Sequence, residues 1–178
     1  RPARDGANIV TAAKSADAHP QRPGTIHSVA AEVVAAGGQA LALQLEVRDE
    51  DAVKAAMAKA FEHFGSIDAV INNAGAIKLM GVEHLPPKRF DLMFQINTRA
   101  VMVCSQAALP YLKQSRGHIL SLSPPVNLDP KWLANYGPYT TTKYGMSMPT
   151  LGMHEELKKY GFSVNSLWPK TVIATAAI

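Results

Sequence analysis

The chain alternates short, unbroken apolar runs with longer stretches in which apolar positions return every three or four residues. Runs of the first kind predict buried strands and patterns of the second kind predict amphipathic helices. Ala7 to Ala13, after Gly6, predicts a strand. Thr25 then caps a helix whose apolar face is Ile26, Val29, Ala30 and Val33, and Gly37-Gly38 stops it. Ala40 to Val47 predicts a second strand. Asp49 opens a helix with apolar residues at 53, 57, 60, 61 and 64, and Gly65 ends it. Ala69 to Ile71 is a short strand running into Asn72-Asn73-Ala74-Gly75. A long helical stretch covers Lys88 to Gln114, with a kink or an early end expected at Pro110. His118 to Leu122 predicts the next strand, Tyr139 to Lys159 a helix closed by Gly161, and Ser163 to Leu167 the last strand. Pro149 removes the bond to the Gly145 carbonyl, so a kink is expected after Met146.

Strands and helices in strict alternation imply a parallel sheet, because parallel neighbours need long crossovers. The expected class is therefore α/β: a doubly wound parallel sheet between two layers of helices, with 178 residues forming one domain. In such sheets ligands sit beyond the carboxyl ends of the strands. That directs attention to the loops Lys14–Gly24, Glu46–Asp49, Asn72–Gly75, Ser123–Pro138 and Pro169 onward.

Composition narrows the classes. Hydrophobic residues make up 47% and charged residues 18%, enough apolar material for a core. The net charge of +4 is scattered, which argues against nucleic acid as a partner. No uncharged stretch is longer than Ala100 to Leu112, which is too short to span a bilayer and contains Ser105 and Gln106. The chain shows no signal-peptide pattern, its single Cys104 suits a reducing compartment, and a cytoplasmic location is expected. The six histidines show no metal-ligand spacing.

Tyr139 and Lys143 lie four apart in a helix and share a face. A neighbouring ammonium favours the phenolate, so Lys143 is expected to bring the Tyr139 proton affinity toward neutral pH. Asn72-Asn73-Ala74-Gly75 after a buried strand, Asn97 in the next helix, and Tyr139-Thr-Thr-Thr-Lys143 together resemble the short-chain dehydrogenases/reductases. The runs Ser123 to Trp132, Lys143 to Met148 and Leu167 to Thr171 resemble a hydroxysteroid dehydrogenase-like branch of that family.

The resemblance implies a Rossmann-like fold and hydride transfer between a nicotinamide and a secondary alcohol or ketone. It makes Tyr139 the general acid/base and gives Lys143 the nicotinamide ribose. Asn97 would anchor a water in a proton relay. Asn72, Asn73, Ala74 and Gly75 would line the cofactor, with Glu46 and Val47 at its adenine. Pro169 and Thr171, with Thr175, would meet the cofactor beyond the last strand. A homodimer or homotetramer is implied as well. An acidic residue at the end of the first strand would bind a ribose 2′-hydroxyl. Here Lys14 and Ser15 follow Ala13, which favours NADP(H) over NAD(H). Arg22 is a further candidate for the phosphate.

Several residues depart from the pattern. The first strand with its Gly-rich phosphate loop and the C-terminal segment are missing, so an incomplete domain of a longer chain is expected. Pro124 stands where the family has its serine; Ser123 is the candidate for the substrate oxygen and Ser121 the fallback. Lys170 replaces a glycine. These departures keep a second reading open, a catalytically weak nucleotide-binding or scaffold protein of the same fold.

Overall fold

The computed structural model describes residues 2–17 and 24–169. Contacts divide the chain into two compact units, one up to Ser66 and one beginning at Ile67. Arg22, Lys170, Thr171 and Thr175 lie outside the described residues.

In the first unit a 3-10 turn, Pro2–Asp5, leads to β1 (Ile9–Ala13), α1 (Ile26–Ala35), β2 (Ala40–Gln44) and α2 (Glu50–Phe64). β1 and β2 pair in parallel, from Ile9 opposite Ala40 to Ala13 opposite Gln44. Thr25 caps α1 as predicted: its Oγ1 accepts from the Ser28 amide at 3.1 Å, and its own amide donates to Ser28 Oγ at 2.7 Å. Asp49 caps α2 through the Asp51 and Ala52 amides, and Gly65 ends it in the left-handed region at φ 77°. Val53 and Ala60 bury the inner face of α2. β2 stops at Gln44, short of the predicted Val47, because the chain turns there: the Glu46 carbonyl accepts from the Asp49 amide at 3.0 Å.

The second unit holds β3 (Ala69–Asn72), α3 (Pro87–Phe94), α4 (Ala100–Ser115), β4 (His118–Leu122), α5 (Gly137–Leu157) and β5 (Ser163–Leu167). β4 is the middle strand, parallel to both neighbours, with Ile119 opposite Val70 and Val164. The core is built from Met93, Val101, Leu112, Ile119, Met146 and Val164, all at most 2% exposed apart from Val70 beside them at 8%. No helix among the described residues is long and apolar enough to cross a membrane.

The predicted helical stretch from Lys88 is present, joined in its middle by a π-helical segment, Gln95–Arg99. Pro110 does not end it. The ring is exposed, the Pro110 carbonyl accepts from Gln114 Nε2 at 2.9 Å, and Ala108 and Leu112 on either side are fully buried and hold the helix to the core. α5 likewise continues through Pro149 to Leu157, so the proline does not divide the element. Next to the lost backbone bond, Thr150 Oγ1 donates to the Met146 carbonyl at 2.8 Å.

Candidate active site

α5 opens at Gly137 with Pro138 in its first turn, where the missing amide costs no helical bond. Tyr139 and Lys143 follow one turn apart, both half-buried. The Lys143 ammonium donates to the Leu122 carbonyl at 2.9 Å and lies 2.9 Å from Met146 Sδ. Burial holds the Lys143 pKa below the usual lysine range. It also pushes the Tyr139 phenol up, which corrects the expected depression. In the protein alone, desolvation of the phenolate sets the direction, and the ammonium is turned to Leu122.

Asn97 is fully buried and joins three elements. Its Oδ1 accepts from the Ala76 amide at 2.7 Å, and its Nδ2 donates to the Ala76 carbonyl and to Thr142 Oγ1, both at 2.9 Å. Thr142 Oγ1 in turn donates to the Tyr139 carbonyl at 2.8 Å. The next residue, Thr98, donates to the Thr142 carbonyl at 2.9 Å. Gly145 lies so close to Thr98 that a Cβ there would overlap its side chain. The π segment thereby fixes the loop after β3 and the first turns of α5 against one another, and such bulges recur at functional sites.

Asn72 is buried at the end of β3 and aims inward: its Nδ2 lies 3.3 Å from Ser105 Oγ and 3.5 Å from Ser121 Oγ. Asn73, Ala74 and Gly75 are exposed. Ser123 is 2% exposed, with its Oγ 2.9 Å from Ser147 Oγ. Ser121 Oγ lies 3.0 Å from Thr150 Oγ1.

In the first unit Lys14 and Glu46 are brought together. Lys14 Nζ lies 2.9 Å from Glu46 Oε2, and Arg48 grips the same carboxylate with Nε at 3.0 Å and Nη2 at 2.8 Å. Arg48 above all, then Lys14, holds the Glu46 carboxyl at about 2 against the opposing effect of burial. Val47 is half-buried and Pro169 exposed, while Thr171 lies outside the described residues. Reading by loops named the segment that holds Arg48 but not that residue, and it missed Ser105, Ser147 and Thr150. The available signal was hydroxyls at helical spacing on core-facing positions, opposite two serines at strand spacing.

The family described as short chain dehydrogenase matches residues 3–177. The chain belongs to the short chain dehydrogenase family. Among its relatives, the hydroxysteroid dehydrogenase-like protein 2 of Xenopus tropicalis is 54% identical over 177 residues, which are 99% of this chain and 42% of that protein. The chain thus spans less than half the length of this relative. A short chain dehydrogenase from Mycobacterium thermoresistibile is 51% identical, with a TM-score of 0.93 over 98% of this chain and 62% of that one. A metagenomic short-chain oxidoreductase in complex with NADP shares the fold at 24% identity, with a TM-score of 0.83 over 99% of this chain and 76% of that one. The parallel sheets with flanking helices are the Rossmann-like fold of short chain dehydrogenases, an oxidoreductase family that binds nicotinamide cofactors.

Proposed function

We propose that this chain is part of one nucleotide-binding domain of an enzyme that moves a hydride between NADP(H) and a secondary alcohol or ketone. The observation that carries the reading is the hub at Asn97. One buried amide ties the loop after β3 to the turn of α5 that presents Tyr139 and Lys143. The residues suit the cofactor: Asn73 to Gly75 are small, exposed and held through the neighbouring Ala76, and the Lys14 side chain is 71% exposed and cationic. Bound nicotinamide supplies the hydride.

The chain's own residues do the rest. Tyr139, kept protonated by burial, gives its phenol proton to a ketone oxygen, or as phenolate takes one from an alcohol. Lys143 holds the ribose after leaving the Leu122 carbonyl. Asn97 keeps the loop and helix in register, and Asn72 supports the strand end from inside. Glu46 and Val47 border the adenine, and Pro169 and Thr171 the far side of the cofactor. Lys14 favours the 2′-phosphate, hence NADP(H) over NAD(H). The same reading includes a homodimer or homotetramer and, on the single reduced Cys104, a cytoplasmic location.

The test uses the full-length protein. Tyr139→Phe is expected to lower turnover of secondary alcohols and ketones by about a hundredfold or more while NADPH affinity is kept. NADPH is expected to bind more tightly than NADH. Equal turnover in the variant sinks the assignment. A scaffold role is the second reading, favoured by the engaged Ser123 hydroxyl; cofactor binding with no turnover on any alcohol or ketone would select it.

A further inference from the structure

The seam between β4 and α5 carries two rungs of hydroxyls. Ser121 lies in β4 and Ser123 just past its end, and both hydroxyls face α5. Ser147 and Thr150 are three apart on the helix and share a face. Ser123 Oγ meets Ser147 Oγ at 2.9 Å, and Ser121 Oγ meets Thr150 Oγ1 at 3.0 Å. All four residues are at most 2% exposed.

Each hydroxyl owns one proton, and a carbonyl owns none. Ser147 Oγ lies 2.6 Å from the Pro124 carbonyl, so the Ser147 proton goes there. The proton in the first rung must then come from Ser123. The second rung repeats the logic. Thr150 donates to the Met146 carbonyl at 2.8 Å, so Ser121 donates to Thr150. Asn72 Nδ2 approaches the acceptor side of Ser121 at 3.5 Å. Both serines therefore point their protons into the helix. Pro124, next along the chain, brings no side-chain donor.

We propose that Ser147 and Thr150 are positioning residues that take the protons of Ser123 and Ser121, keep both serines out of the reaction, and leave proton exchange with the substrate oxygen to Tyr139. The last clause rests on the dehydrogenase reading; the direction of the protons does not.

Two measurements on the full-length protein test it. In steady-state kinetics Ser123→Ala keeps kcat and KM within about threefold of the parent. A fall in kcat of about a hundredfold at unchanged cofactor affinity, the effect of deleting a working oxyanion donor, overturns the proposal. Ser147→Ala likewise keeps its kcat; a comparable fall there, restored by Ser147→Thr, would mean that Ser147 gives a proton to Ser123, and overturns it too. The second measurement needs no activity. In a thermal-stability cycle the Ser123→Ala/Ser147→Ala double variant melts close to the Ser147→Ala single variant, because the rung is already gone. Fully additive losses in Tm show that no rung exists and overturn the proposal. Full turnover in Tyr139→Phe would sink the dehydrogenase reading while leaving this cycle decisive for the rungs.

Discussion

Glu46 shows what one residue owes to register. Ala13 pairs with Gln44, so Lys14 and Glu46 leave neighbouring strand ends side by side, and Gln44 Nε2 reaches the Lys14 carbonyl at 3.1 Å. The carboxylate then satisfies two cations at once, which explains why it resists protonation down to about 2 against an ordinary 4.5. A folded-state pKa below the unfolded one gives stability that is present above the unfolded pKa and is lost as pH falls through the folded one. Glu46→Gln is therefore expected to cost about 1 kcal/mol near neutral pH. Its deficit against the parent should shrink between pH 4.5 and about 2 and vanish at the bottom of that range. Denaturant melts of both proteins across that range check it; a deficit that stays constant to the acid limit would show that the loss is packing rather than charge. Sequence reading placed both Lys14 and Glu46 at strand ends. It could not pair them with each other, because a strand boundary three residues earlier than predicted decides where each side chain points.

At the scale of elements, strands and caps were legible and the joints between helices were not. β4 and β5 occur at the predicted residues, since a run such as His118–Leu122 between polar turns has few other ways to bury itself. Thr25, Asp49, Gly65 and Gly161 act where their local chemistry says they should. The π segment has no comparable local signature. It is set by bonds from Asn97 and Thr98 to residues more than twenty positions away, and by the close approach of Gly145. The Tyr139, Lys143 and Asn97 positions were readable from spacing and resemblance; the direction of the Tyr139 shift was not, because it depends on burial. Neither proline ends its helix, for a related reason: tertiary packing holds α4 and α5 together across them. Pro149 still leaves the Gly145 carbonyl without its helical donor. Restoring the amide in Pro149→Ala recovers part of a penalty of about 3 kcal/mol. The freer unfolded chain takes back about 0.4–1 kcal/mol, and the half-buried ring gives up some packing. A net stabilisation of about 1 kcal/mol is expected, read as a higher urea midpoint at unchanged slope. A lower midpoint would mean that the ring packs better than the helix suffers.

At the scale of the whole molecule, the informative feature is what α5 leaves uncovered. Its inner face is fixed by Met146, Ser147 and Thr150, none more than 1% exposed. Its outer face carries Met148 at 63% and Leu151 at 59% exposure, three apart and so on one side. Gly152 adds an open position where another backbone can come close, with nothing within 4 Å of where a Cβ would stand. Met102 on α4 is a further large apolar side chain at 53% exposure. A lone exposed leucine needs no explanation, but apolar side chains grouped on one helix face mark an interaction surface. The homodimer or homotetramer proposed above would use this face, with α5 meeting its copy. Adding carboxylates there taxes association far more than folding, because the positions face solvent in the single chain and would be desolvated opposite their own copies in an assembly. The variant Met148→Asp/Leu151→Asp of the full-length protein is thus expected to run at the mass of one chain by light scattering, with a melting temperature no lower than dissociation alone explains. If the parent already runs at that mass at micromolar concentration, or the variant keeps the parent's assembly, the outer face of α5 is not where copies meet.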